Sequence, residues 1–301
     1  MKIHIIPSWY PKFDGNFGGS FFKEQAQQLA THYPQHYFKV VVEEFYGIKE
    51  WIKNKITLQS SIIIKTKQVF NNLQEIHFSV LFLKRFFNTE KNTVKKIFEF
   101  LDEFKLNLIH AHAIWNGGYI AMELAKIIKY KYVITEHMGH FPWKIPLFIN
   151  KKNQLTNRIK LPLENADALL AVSNSLADRI AQFNIKRPIV LYNLVNEQRF
   201  KPNNWPKTSL FNLLSIGRLT TQNGMDVLLH AFSNAYKSLP NLRLTILGDW
   251  KQKVELMHLI QKLAITNVVN LVGAVVRSKI IDYYHDAQCF MALLKNEWVI
   301  K

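Results

Sequence analysis

Short apolar runs alternate with amphipathic stretches along this chain. Lys2–Ile6 is an apolar run of strand length, and Phe21, Phe22, Gln25 and Leu29 recur at helical spacing up to about His32, with Ser20 placed to cap that helix. Tyr37–Glu43 and Ser61–Lys65 read as strands, and two helices are expected over Asn72–Phe87 and Thr89–Phe104. Leu106–His110 predicts a strand, Gly117–Tyr130 a helix and Tyr132–Glu136 a strand. Ala168–Val172 predicts another strand, followed by a helix from Ser175, and Pro188–Tyr192 closes this half. The stretch VNEQRFKPNNWPKTS, rich in asparagine, proline and lysine, reads as a linker. Strands are then expected at Phe211–Ile216, Arg243–Leu247, Val268–Val272 and Gln288–Leu293, with helices between them.

Alternating strands and helices joined by short turns imply an α/β chain with parallel sheets and right-handed crossovers. Both halves open with a strand, a glycine-bearing loop and a helix: Gly15, Gly18 and Gly19 in the first, Gly217 and Gly224 in the second. That repetition predicts two copies of one architecture, residues 1–195 and 196–301, and 301 residues suffice for two separate cores. Ligands of such folds sit at the C-terminal ends of the strands, so two facing domains would form a cleft.

The segment GRLTTQNG, Gly217 to Gly224, is the most informative stretch. An apolar strand precedes it and an amphipathic helix follows. Free backbone N–H groups, the positive end of a helix dipole and the fixed cation Arg218 are what a phosphate needs. Gly18 and Gly19, just before a helix, could let backbone N–H groups approach a phosphate in the same way. LIHAHAIWNGG and ITEHMGH place His110, His112, His137 and His140 near strand ends, with His110 and His112 pointing the same way at i and i+2. A zinc or iron hydrolase built on His110 and His112 is therefore a competing reading. Against it, the sequence has no cysteine pair, no His-Glu-x-x-His helix and no carboxylate cluster near the other strand ends to complete a ligand set. His110 reads as a satisfied core histidine, whereas His112 and His137 are the functional candidates. Gly248 ends a strand, and Asp249 can cap the next helix.

The net charge of +17 attracts nucleic acid, anionic lipid or phosphorylated ligands. No recognisable reading helix or aromatic sheet motif points to nucleic acid. Between Lys49 and Lys105, basic residues alternate with bulky apolar ones, among them Trp51, Lys53, Lys55, Lys84, Arg85, Phe86 and Phe87. This mixture suits an anionic membrane surface, and equally a lysine-rich solvated face over ordinary core residues. Cys289 is the only cysteine, which fits a reducing compartment. The N-terminal apolar run is too short for a signal peptide, and Lys84 and Arg85 break the longest later one. A cytoplasmic chain, peripheral on the inner face of the plasma membrane, is expected.

Taken in order, Gly18-Gly19, His110-Ala-His112, Thr135-Glu-His137, Ala171-Val-Ser173, Gly217-Arg-Leu219 and Leu247-Gly-Asp249 resemble the motifs of family 4 glycosyltransferases. The resemblance implies the GT-B fold: an acceptor-side Rossmann-like domain facing a nucleotide-sugar domain. It implies transfer of a sugar from a UDP- or GDP-linked donor to a glycan, with retention and without metal or other cofactor. The acceptor would be lipid-linked, as in surface polysaccharide or lipopolysaccharide synthesis. Gly18 and Gly19 would lie against the donor diphosphate, and His112 and His137 would serve the transferred sugar. Arg218, Asn223 and Gly224 would line the donor phosphates, Gly248 the nucleotide, and Glu297 the hydroxyls of the donor sugar. Asn223 stands where the family carries a lysine. Asn193 matches the asparagine of the family's asparagine-glycine-valine-aspartate turn, with Leu194 and Asn196 in place of glycine and aspartate. The family's second glutamate would fall beyond Lys301. A donor domain that is incomplete is therefore expected, and a catalytically inactive truncated remnant is the alternative.

Overall fold

The computed structural model describes residues 1–12, 18–46, 62–81, 94–95, 97–99, 101, 106–139, 141–142, 146–201 and 209–293. The chain divides into two compact units, Met1–Leu194 and Val195–Lys301.

In the first unit, β1 (Lys2–Pro7) lies between two parallel neighbours and is buried from His4 onward. The remaining strands are β2 (Tyr37–Tyr46), β3 (Ile62–Phe70), β4 (Leu73–Leu81), β5 (Leu108–His112), β6 (Tyr132–Glu136), β7 (Ala168–Ala171) and β8 (Ile189–Val190). They form one sheet in the order β3-β4-β2-β1-β5-β6-β7-β8, parallel except for the edge strand β3. Alternation sends Ile5, Val40, Val42 and Leu73 to one face, where Phe22, Ala26 and Ala30 of helix α1 (Ser20–His32) cover them. Ile6, Val41, Ile76 and Phe78 point to the other face. There they share a core with Val94, Ile97 and Leu101, at helical spacing, and with helices α2 (Tyr119–Ile128) and α3 (Asn157–Asn165). Helix α4 (Asn174–Ala181) follows β7 and is capped by Ser173, whose Oγ accepts from Leu176 N at 3.2 Å.

Two expected elements are corrected here. Over residues 73–81 the expected helix is instead β4, joined to β3 by the two-residue turn Asn71–Asn72, with Phe70 opposite Leu73, and residues 82–87 of that expectation lie outside the described residues. Leu73 and Glu75–Ser79 are all buried, because β4 is an inner strand covered on both faces, with the polar Glu75, His77 and Ser79 alternating with the apolar Ile76 and Phe78. The Asn72 side chain donates to Ala30 O (2.9 Å) and His36 O (3.0 Å), tying the end of α1 to this turn. Ser20 does not cap α1. The N-cap is Gly19, at φ +74°, with no side-chain hydrogen bond.

The second unit is a four-stranded parallel sheet, β11-β10-β9-β12, formed by β9 (Phe211–Ile216), β10 (Leu242–Leu247), β11 (Val269–Gly273) and β12 (Cys289–Phe290). Helices α5 (Met225–Tyr236) and α6 (Lys253–Lys262) supply Leu228, Leu229, Phe232, Leu256 and Ile260 to a core with Leu244 and Ile246. Helix α7 (Ile280–Asp286) leads into β12. Asp249 does not cap α6. Its Oδ1 accepts from Trp250 N at 2.8 Å, and the N-cap is Gln252. Of the basic stretch, Lys65, Lys67 and Lys95 are among the described residues, the first two on the edge strand. Among the described residues, no helix is long and apolar enough to cross a membrane.

In each sheet the first strand of the unit has neighbours on both sides that continue in opposite directions. The crossover reverses beside β1 in the first unit and beside β9 in the second. The loops leaving these two strands are those that carry Gly18–Gly19 and Gly217–Gly224.

Asn72→Ala removes donors that no water replaces in kind, and should lower the stability of the first unit by about 1–2 kcal/mol in urea unfolding. An unchanged midpoint would show that the turn does not hold α1.

Candidate functional site

At the C-terminal edge of the first sheet, three histidine rings lie in a row, His112 between His110 and His137 and tilted against each. His110 and His112 are last-but-two and last in β5, with ring centroids 4.2 Å apart. His112 Nδ1 lies 3.0 Å from His137 Nε2, and His110 Nε2 lies 2.8 Å from Thr135 Oγ1. Phe22 of α1 packs on His112 and His137 (centroids 5.1 and 4.9 Å), and Phe21 packs on His137 at 5.4 Å. Burial pushes His110 down to about 4. Burial also holds His112 well below the ordinary imidazole range, as do the neighbouring His110 and His137. Burial and His110 push His137 down to about 4, against the opposite pull of Asn193. At neutral pH the rings are uncharged, so the His112–His137 contact joins one N–H donor to one lone pair. His137 Nδ1 is buried with no hydrogen-bond partner among the described residues.

Glu136, buried at the end of β6, holds the loops that carry these rings. Its Oε2 accepts from Ile114 N (2.7 Å), and its Oε1 accepts from His137 N (2.9 Å) and Met138 N (2.7 Å). Burial pushes its carboxyl up to about 7, against the three backbone donors. Ser8, just past β1, accepts from Gly117 N at 3.0 Å and donates to Ala113 O at 2.8 Å. Between them the chain takes a tight turn over Ile114–Gly118, with Ala113 at φ +63° and Asn116 at φ +62°. Asn116 donates to Glu43 Oε2 (3.0 Å) and accepts from Arg158 (3.1 Å), whose guanidinium lies over the rings of Tyr119 and Trp115. A Cβ on Gly117 would stand 2.7 Å from Ile6 O, and one on Gly19 would stand 2.5 Å from Trp9 O. Gly19 thus lets the start of α1 lie directly on the loop after β1. Gly18, beside it, is exposed.

The second unit builds its site from backbone. Gly217 N donates to Leu247 O at 3.0 Å, Arg218 is exposed, and Leu219 is buried beneath it. Thr221–Asn223 forms a single 3₁₀ turn, and Gly224, at φ +60°, starts α5. Asn223 Nδ2 donates to Arg218 O at 2.6 Å, so the residue at the lysine position closes the loop on itself. Gly248, at φ +152°, lies against Gly217. A Cβ there would stand 1.9 Å from Gly217 O, an impossible distance for any side chain.

The structure therefore brings His110, His112, His137, Gly18 and Gly19 to the edge of the first sheet, and Arg218, Asn223, Gly224 and Gly248 to the edge of the second. His112 ends a strand rather than sitting in the loop after it. Glu297, Gly15 and His140 lie outside the described residues. Among the described residues no three His, Cys, Asp or Glu side chains are grouped to hold a metal ion. The holding roles of Ser8 and Glu136 escape sequence reasoning, since no spacing links Ser8 to Gly117 across more than a hundred positions.

Two family models match the chain: "Glycosyltransferase Family 4" over residues 59–199 and "Glycosyl transferases group 1" over residues 195–298. Over residues 59–298 the chain is thus similar to glycosyltransferases. Similar curated proteins are a subunit of the phosphatidylinositol N-acetylglucosaminyltransferase of Arabidopsis thaliana and the alpha-monoglucosyldiacylglycerol synthase of Acholeplasma laidlawii. The first is 24% identical over 200 residues, 64% of this chain and 43% of that protein. The second is 24% identical over 234 residues, 70% of this chain and 56% of that protein. The chain thus spans about half the length of these relatives. Among solved structures, a glycosyltransferase of Rickettsia africae superposes with a TM-score of 0.64 at 18% identity, over 97% of this chain and 73% of that one. This likeness shows a shared GT-B fold.

Two outcomes follow from this geometry. The folded state refuses protons that unfolded histidines accept near pH 6.5, so stability should fall as pH drops from about 6.5 to 4. His110→Gln and His137→Gln should each flatten that fall in thermal unfolding followed across pH, and an unchanged slope would remove the histidines as its cause. Gly248→Ala should cost on the order of 3 kcal/mol or more in denaturant unfolding, because the Gly217 carbonyl must move.

Proposed function

We propose that this chain moves a sugar from a UDP- or GDP-linked donor to a lipid-linked glycan acceptor, with retention at the anomeric carbon. The observation that carries this reading is the Gly217–Gly224 loop. It offers an exposed guanidinium, a glycine-lined approach with no Cβ in the way, and the N-terminus of α5. In the reaction the bond from the anomeric carbon to the diphosphate oxygen breaks. An acceptor oxygen takes its place on the same face, and the acceptor's proton is released. Negative charge grows on the leaving diphosphate, where Arg218 and the α5 N-terminus stabilise it, so the reading calls for no metal. Asn223 spends its amide on the Arg218 carbonyl and brings no charge, so Arg218 carries more of this task than where a lysine shares it.

Gly18 and Gly19 would let the start of α1 approach a donor phosphate. His137, uncharged at neutral pH, would turn its Nδ1 to a hydroxyl of the sugar or acceptor, with His112 fixing the ring from the other side. Two observations support a lipid-linked acceptor: the net charge of +17, which favours an anionic membrane surface, and the names of the two curated relatives, which specify phosphatidylinositol and diacylglycerol. Work at the inner face of the plasma membrane fits this reading.

Millimolar UDP or GDP should raise the thermal midpoint, and Arg218→Ala should weaken that binding by about 10- to 100-fold. If neither nucleotide moves the midpoint of the unmodified protein, the donor site is elsewhere or absent. His137→Ala should lower transfer while leaving nucleotide affinity near its original value, and full transfer by that variant would remove His137 from the reaction.

A further inference from the structure

Away from the histidines, on the α1 face of the first sheet, a second group of buried charges remains unused by the reaction proposed above. Glu75 is 2% exposed in the middle of β4. Its Oε1 accepts from Tyr10 OH at 2.8 Å and pairs with Lys23 Nζ at 3.0 Å. Its Oε2 lies 3.9 Å from His77 Nε2, and His77 Nδ1 lies 2.6 Å from Glu44 Oε1. Burial pushes the Glu75 carboxyl up, but its partners His77, Lys23 and Tyr10 outweigh this and bring it to about 2. His77 is raised against the pull of burial by Glu44 and Glu75. Two carboxylates thus face two cations when His77 is protonated.

The partners of Glu75 sit where the chain enters and leaves the first glycine loop. Tyr10 follows β1 by three residues. Lys23 lies in the first turn of α1, one residue past Phe22, which packs on His112 and His137. Trp9 also packs on Phe22, with centroids 5.6 Å apart, and its carbonyl is the atom a Gly19 Cβ would strike. We propose that Glu75 is a positioning residue: by holding Tyr10 and Lys23 together it fixes the start of α1 against the loop after β1, and through Phe22 sets the His112–His137 pair. This rests on the transferase reading only for its catalytic consequence, because the mechanical link stands on the contacts themselves. A carboxylate is suited to the task, since its oxygens take a phenol and an ammonium at once while facing the His77 ring 3.9 Å away.

The test is amide hydrogen exchange on the unmodified chain, Glu75→Gln and Tyr10→Phe, without ligand. It is followed by kcat and KM for transfer from UDP- and GDP-sugars to a lipid-linked acceptor. Both variants should speed exchange at residues 18–24 by tenfold or more, with amides of β5 and β6 unchanged. In both, kcat should fall with KM for the acceptor held within a few-fold. Tyr10→Phe, which loses only an oxygen, keeps the question answerable if Glu75→Gln does not fold. Unchanged exchange at residues 18–24, or exchange raised equally across the unit, would overturn the proposal, as would a change confined to KM. If the unmodified chain transfers no sugar while exchange responds as expected, the transferase reading falls and the mechanical link stands.

Discussion

A carboxylate sealed from water organises the first unit. Glu136 ends β6 with both oxygens turned to backbone N–H groups, one from the loop after β5 and two from its own. Burial makes any lone pair left empty there costly, so the two loops are held in one arrangement. That arrangement includes Ala113 at φ +63°, a conformation that costs a residue with a Cβ about 1–3 kcal/mol and persists only where its surroundings over-determine it. Ser8 supplies the other constraint by bridging Ala113 O and Gly117 N. The histidine row is the result of these clamps. His112 and His137 come from neighbouring strands and meet because the loops beyond them cannot relax.

The two units solve related problems with different materials. The first presents side chains, each fixed by buried hydrogen bonds. The second presents backbone and excludes side chains, since Gly248 and Gly217 approach too closely for a Cβ. Of the side chains in its loop, Arg218 is exposed and Asn223 serves the loop's own closure. A site of the first kind is sensitive to protonation, and one of the second kind to sterics.

This difference explains what could be read from the sequence. Glycines needed for close approach are visible as glycines, so Gly18, Gly19, Gly217, Gly224 and Gly248 stand out without a structure. The strand and helix order is legible because most segments keep one period. The segment after Asn72 keeps the strand period from Glu75 to Val80, but its polar positions are buried rather than turned to water. Glu75, His77 and Ser79 are buried polar residues in an inner strand, and the partners of Glu75 (Tyr10 and Lys23) and of His77 (Glu44) lie 65, 52 and 33 positions away. Without those partners in view, such polar residues look like a solvent-facing surface rather than the inside of a sheet. Ala113 and Asn116 are hidden for the opposite reason: they adopt conformations that their residue types do not advertise.

The strand order of the second sheet has a consequence for synthesis. β9 is the first strand of its unit to be made, yet it is an interior strand, and its second neighbour is β12. Asn212 and Gln288, which bond where the two meet, are 76 residues apart. At ribosomal speeds of about 5–20 residues per second, one side of β9 waits roughly 4–15 seconds for its partner. During that interval the nascent unit carries an unpaired edge of Phe211–Ile216, an apolar segment that any neighbouring strand could join. The position that places the glycine loop at the centre of the sheet therefore also makes this unit dependent on whatever shields its growing chain.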